Sequence, residues 1–148
     1  MPTRIQRSAL VPYSTEQMFA LVNGIEAYPE FLPFCRSASI LTAHHNQITA
    51  KIELAKGALH KTFTTRNTLQ APNSIQMDLV DGPFRRLNGA WSFHREGVQR
   101  TRVSLSLEFE FSSRFMALAL GPIFTPLANS MVDAFVRRAR QVYGGQHG

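Results

Sequence analysis

The fold is decided by Thr101-Arg-Val-Ser-Leu-Ser-Leu-Glu-Phe-Glu-Phe111. Val103, Leu105, Leu107, Phe109 and Phe111 alternate there with Arg102, Ser104, Ser106, Glu108 and Glu110. Successive side chains of a strand point to opposite faces, so this run is a half-buried antiparallel strand. The same period of two sets Ile48, Ala50, Ile52 and Leu54 against Gln47, Thr49, Lys51 and Glu53, after a turn at His44, His45 and Asn46. Further strands are predicted near residues 59–70, 74–80 and 87–94, punctuated by Ala71-Pro72-Asn73 and Asp81-Gly82-Pro83. Residues 4–11 and 37–41 bring the total to about seven.

Helix is predicted in few places. Ser14 and Gln17 form a capping box, Met18, Phe19, Leu21 and Val22 follow as an apolar stripe, and Gly24 is a stop. A further helical turn is expected to begin at Pro29. The long helix is C-terminal, because Phe124, Leu127, Ala128, Met131, Phe135 and Val142 recur at helical spacing. Gly121 and Pro122 are predicted to mark its start, with Pro126 in its first turn, where a missing amide costs little. A sheet that is apolar on one face must bury that face, and this helix is the only large cover available. The predicted fold class is therefore α+β. A curved antiparallel sheet of six or seven strands wraps around a long C-terminal helix, with one or two short helices after the first strand.

With 148 residues, 44% of them apolar and 18% charged, the chain is expected to form one domain over residues 1–148. Its core spans about 3–143, and 144–148 form a flexible tail. The single cysteine, Cys35, excludes an intramolecular disulfide and a zinc site built on paired cysteines, and favours a reducing compartment. The N-terminus lacks the apolar segment of a secretory signal. The longest apolar run, at 115–120, falls well short of the roughly 20 residues that span a bilayer. No transmembrane segment is expected; the location is cytoplasmic, with any membrane contact peripheral to the inner membrane.

The net charge of +6 comes from sixteen cations, thirteen of them arginine, the side chain suited to bidentate phosphate contacts. Arg85, Arg86, Arg95, Arg100 and Arg102 gather against Glu96, and Arg137, Arg138 and Arg140 stand near the C-terminus. Arg85, Arg86, Arg137, Arg138 and Arg140 are the candidate RNA or anion contacts; solvated arginines that serve solubility are the alternative.

Catalytic patterns are sparse. His60 and His94 fall on polar strand faces, His44 and His45 in a turn and His147 in the tail, and no spacing suggests a metal site. Glu108 and Glu110 point together toward water. Arg36 beside Cys35 could lower the thiol pKa, yet no base is placed to use it. A curled sheet encloses more width than one helix fills, so a cavity is a candidate site. Its walls would be Phe63, Met77, Leu79, Trp91, Phe93, Leu105, Leu107 and Phe109, facing Phe124, Leu127, Met131 and Phe135. Phe84, held up by the Gly82-Pro83 turn beside Arg85 and Arg86, would gate the cavity or present an anion-binding loop. The same stripes also describe a dry interlocked core.

Tyr28-Pro-Glu-Phe-Leu-Pro-Phe-Cys35, Asp81-Gly-Pro-Phe84, Gly89-x-Trp-x-Phe93, Phe109-Glu-Phe111 and Met131-Val-Asp-Ala-Phe135 occur in that order. Together they resemble the coenzyme Q-binding, START-like family of the polyketide cyclase and lipid-transfer superfamily. The resemblance covers about residues 3–143 and implies the helix-grip fold. It also implies a hydrophobic tunnel that holds ubiquinone, another isoprenoid quinone or another lipid unchanged, with no cofactor required. For the bacterial toxin members it implies binding to the large ribosomal subunit and interference with subunit association. The expected function is thus non-catalytic quinone binding in support of respiration. Ribosome association is the alternative, and a cyclase-like enzyme, for which no proton-transfer pair is evident, comes third.

Overall fold

The computed structural model describes residues 2–144, so all of the tail expected over 144–148 except Gly144, His147 included, lies outside the described residues. Its strands are β1 (Thr3–Val11), β2 (Cys35–His44), β3 (Gln47–Lys56), β4 (Leu59–Gln70), β5 (Ser74–Asp81), β6 (Phe84–Gly97) and β7 (Arg100–Phe111). Helix α1 (Thr15–Asn23) and a 3-10 segment (Ile25–Glu30) follow β1, and α2 (Arg114–Tyr143) closes the chain. The seven strands form one sheet in the order β1-β7-β6-β5-β4-β3-β2, every neighbouring pair antiparallel. Strands β2 to β7 are a meander, and β1 returns to pair with β7. The α+β helix-grip architecture is the one expected.

The alternating run in β7 behaves as its pattern requires. Val103, Leu105, Leu107 and Phe109 are buried and oppose Phe93, Trp91, Gly89 and Leu87 of β6. Gly89 is demanded by that packing, since a Cβ there would lie 2.4 Å from the Ser106 carbonyl oxygen and 2.9 Å from Leu107 Cδ1. The α1 capping box also forms: Ser14 Oγ accepts the Gln17 amide at 3.1 Å, and Gln17 Oε1 accepts the Ser14 amide at 2.8 Å.

Four boundaries differ from expectation. Strand β6 starts at Phe84, so Phe84, Arg85 and Arg86 belong to the ladder, with Phe84 opposite Phe111 and Arg86 opposite Glu110. They form no loop or gate. Strand β2 extends from Cys35 to His44, and the 3-10 segment begins at Ile25 with Pro29 inside it. The largest difference is in α2, which starts at Arg114 because Ser113 Oγ caps it, accepting the Met116 amide at 3.0 Å. Pro122 and Pro126 lie inside the helix on its exposed side, where water can reach the carbonyls they leave without an amide donor.

The apolar run at 115–120 is therefore the opening of α2, and Phe115 and Leu118 are 75% and 73% exposed. By length and composition alone α2 could cross a membrane, yet Phe124, Leu127, Ala128, Val132 and Phe135 are buried against the sheet. Val142, expected on that inner stripe, is half exposed.

Candidate functional site

Between the concave sheet face and α2 lies a partly open cavity of about 80 Å³. Strands β3 to β7 supply one wall, including Ala50, Ile52, Phe63, Met77, Trp91, Leu105 and Leu107. Helix α2 supplies the opposite wall through Phe124, Leu127, Ala128 and Met131, a stripe at i, i+3, i+4 and i+7. Ile25, Tyr28 and Leu32, from the segment between α1 and β2, and Cys35, the first residue of β2, close one side.

Eight of the predicted wall residues meet there: Phe63, Met77, Trp91, Leu105, Leu107, Phe124, Leu127 and Met131. Leu79, Phe84, Phe93, Phe109 and Phe135 do not. Phe84 is buried, stacks on Phe111 at 5.4 Å between centroids, and meets Phe63 and Phe124 edge to face. Phe109 also packs edge to face on Phe124, at 4.8 Å. On the other side Trp91 stacks parallel to Phe93 and meets Phe135 edge to face at 5.2 Å, and Phe135 in turn contacts Tyr28 and Phe31. Leu79 is half-buried opposite Thr65. Alternation assigns a residue to a face but not to a position along it, and this concave face is longer than the cavity.

The sequence reading passed over Ile25, Tyr28, Leu32, Cys35, Ala50, Ile52, Thr65, Asn67, Leu87 and Ala128, all in the lining. For β3 and β4 the signal was available: the parity that turns Phe63 inward also turns Thr65 and Asn67 inward. Both are buried, and Thr65 Oγ1 donates to Asn67 Oδ1 at 3.0 Å. Tyr28 donates its hydroxyl to the Val22 carbonyl, and burial raises its pKa, with a further push from Cys35. Burial also pushes the Cys35 thiol up to about 11, the reverse of the lowering expected from Arg36. Phe34, at φ 63°, takes the left-handed conformation that turns the chain into β2.

The candidate arginines divide by partner. Arg85 Nη1 lies 3.6 Å from Glu110 and Arg86 Nη1 3.6 Å from Glu108, which also receives Arg4 at 3.2 Å. Arg138 Nη2 reaches Glu30 at 2.8 Å while its guanidinium lies 5.0 Å from the Phe31 ring centroid. It thus ties the 3-10 segment to α2 and is no free surface cation. Arg137 and Arg140 are exposed and make no ion pair among the described residues. No group of three or more His, Cys, Asp or Glu among the described residues could hold a metal ion.

Residues 11–136 match the family described as polyketide cyclase / dehydrase and lipid transport. The ribosome association toxin RatA of Pseudomonas aeruginosa is 45% identical over 144 residues, 97% of this chain and 100% of that protein. The protein of the same name from Escherichia coli is 46% identical over 97% of this chain and 90% of its own length. A mitochondrial coenzyme Q-binding protein of Dictyostelium discoideum is 26% identical over 91% of this chain and 68% of its own. Among solved structures, the Zhui aromatase/cyclase of a Streptomyces species superposes with TM-score 0.83 at 13% identity, covering 100% and 99% of the two chains. A START superfamily protein of Mycobacterium smegmatis gives 0.77 at 19%, covering 94% and 98%. At these identities the two structures speak to the fold alone.

Proposed function

The chain belongs to the polyketide cyclase / dehydrase and lipid transport family, and from that premise we propose that it is a non-catalytic ribosome-association protein of the bacterial cytoplasm. It binds the large ribosomal subunit and opposes joining of the two subunits. The observation that carries this reading is the near full-length likeness, at 45% and 46% identity, to proteins named for ribosome association. Two features agree with it. The net charge of +6 rests mostly on arginine, which suits phosphate contacts whose strength falls with salt. The cavity of about 80 Å³ is also small beside the roughly 150 Å³ that takes up a benzene ring. Exposed and without an ion pair among the described residues, Arg137 and Arg140 are the leading RNA contacts, while Arg85 and Arg86 must first give up Glu110 and Glu108. Pelleting with purified subunits through a sucrose cushion tests the reading: the protein should sediment with large subunits and less so as salt rises. Remaining in the supernatant at low salt would refute it.

Quinone binding is the second reading, favoured by the apolar chamber and by the coenzyme Q-binding relative. An isoprenoid tail would lie against Leu127 and Met131 once the chamber widened, whereas Phe109 stands behind the wall. Organic extraction of protein purified from a quinone-producing host, followed by mass spectrometry, should then recover quinone at stoichiometric levels; its absence counts against this reading.

A further inference from the structure

Thr65 and Asn67 interrupt an otherwise apolar chamber. Their relative exposures are 8% and 7%, and both line the cavity from adjacent inward positions of β4. Desolvating an amide and a hydroxyl is unfavourable unless they are hydrogen-bonded, and apolar side chains of similar size would fill these sites without that cost. Thr65 Oγ1 donates to Asn67 Oδ1 at 3.0 Å, which fixes the amide and leaves Asn67 Nδ2, with two N–H groups, making no hydrogen bond among the described residues. The β4–β5 ladder slips beside this pair. Thr64 opposes Asp81 and Thr65 opposes Leu79, so Val80 is an extra residue on β5 that bends the strand at this point. The facing wall is Leu127, Ala128 and Met131, which offer no polar side-chain partner.

We infer that the cavity is a binding chamber for a small apolar molecule bearing one carbonyl oxygen, and that Asn67 Nδ2 is the donor that receives that oxygen. Thr65 acts as a positioning residue that holds the amide with its N–H groups toward the chamber. The cavity is smaller than a benzene-sized site while the walls stand as they are, but Met77 and Met131 are unbranched and adaptable, so rotation of their side chains makes room for a small ligand. The inference is independent of ribosome binding and rests on the chamber reading of the cavity.

The test compares 2-heptanone with heptane by NMR titration of the full chain, following the Asn67 side-chain amide and the Met77 and Met131 methyl groups. A site built to hydrogen-bond an oxygen rejects the analogue that lacks it. The ketone should move all three signals, and heptane the methyl groups alone. Asn67→Leu should lower the preference for ketone over hydrocarbon by about tenfold, in line with the cost of a buried donor left unpaired. Thr65→Val, of nearly equal volume, should lower it less and remains informative if Asn67→Leu does not fold. Equal binding of the two probes, or methyl shifts without an amide shift, would overturn the role of Asn67 while sparing the chamber. If neither probe moves the methyl groups, the chamber reading falls and the inference with it.

Discussion

Trp91 is 1% exposed, lines the cavity, and holds Phe93 on one side and Phe135 on the other. Trp91→Ala should therefore destabilise the protein by about 3 to 5 kcal/mol, the usual cost of truncating a buried aromatic, read as a lowered urea midpoint. Phe84→Ala should cost a comparable amount. The Gly82-Pro83 turn marked Phe84 as loop in the sequence, yet the side chain is 5% exposed within a cluster of Phe63, Phe109, Phe111 and Phe124. A near-neutral Phe84→Ala would restore the gate. Cys35 carries a pH prediction. Its thiol has a pKa near 8.5 in an unfolded chain and is pushed up to about 11 by burial here. The stabilisation from keeping it neutral is complete below about pH 8.5 and is lost as pH rises toward 11, since only the unfolded chain ionises across that window. The urea midpoint should fall over this range, and Cys35→Ala should flatten the fall. A midpoint in the parent that is level across the window would contradict the assignment.

The strands were legible because period-two alternation survives wherever one face is wet: β4 runs over the predicted 59–70, and β3 and β7 lie within a residue or two of expectation. Register and the extent of the cavity along the sheet were not legible, because they depend on how far the sheet curls and on which inward side chains lie opposite one another. The start of α2 was misplaced because Gly121 and Pro122 look like punctuation. Ser113, eight positions earlier, was the cap that mattered. Ser113→Ala should cost about 1 kcal/mol by removing the acceptor of the Met116 amide. Pro126→Ala should act in the opposite direction. Proline inside a helix is about 3 kcal/mol less favourable than alanine, and about 1 kcal/mol of that is offset by the freer unfolded chain. A net gain of about 2 kcal/mol should raise the urea midpoint; a lower midpoint would show that the helix depends on the proline ring at that turn.

For the whole molecule, the sheet and α2 border a small apolar chamber while the candidate arginines stand outside it, so the proposed ligand chamber and the proposed ribosome contacts fall on different surfaces. Removing Arg137 and Arg140 together should leave stability within about 0.5 kcal/mol per site, as exposed positions usually do. It should flatten the dependence of ribosome binding on salt by roughly 0.7 to 0.9 in logarithmic slope per lost phosphate contact. The same change at Arg85 and Arg86 should have the smaller effect, because Glu110 and Glu108 already compensate those charges. The proposed action on the ribosome is read from the balance of free and assembled particles. Purified subunits are mixed under associating conditions with increasing amounts of the protein and resolved on a sucrose gradient. The assembled-ribosome peak should decline as the free-subunit peaks grow, with the protein cosedimenting with the large subunit. Unchanged peaks at saturating protein and low salt would contradict it.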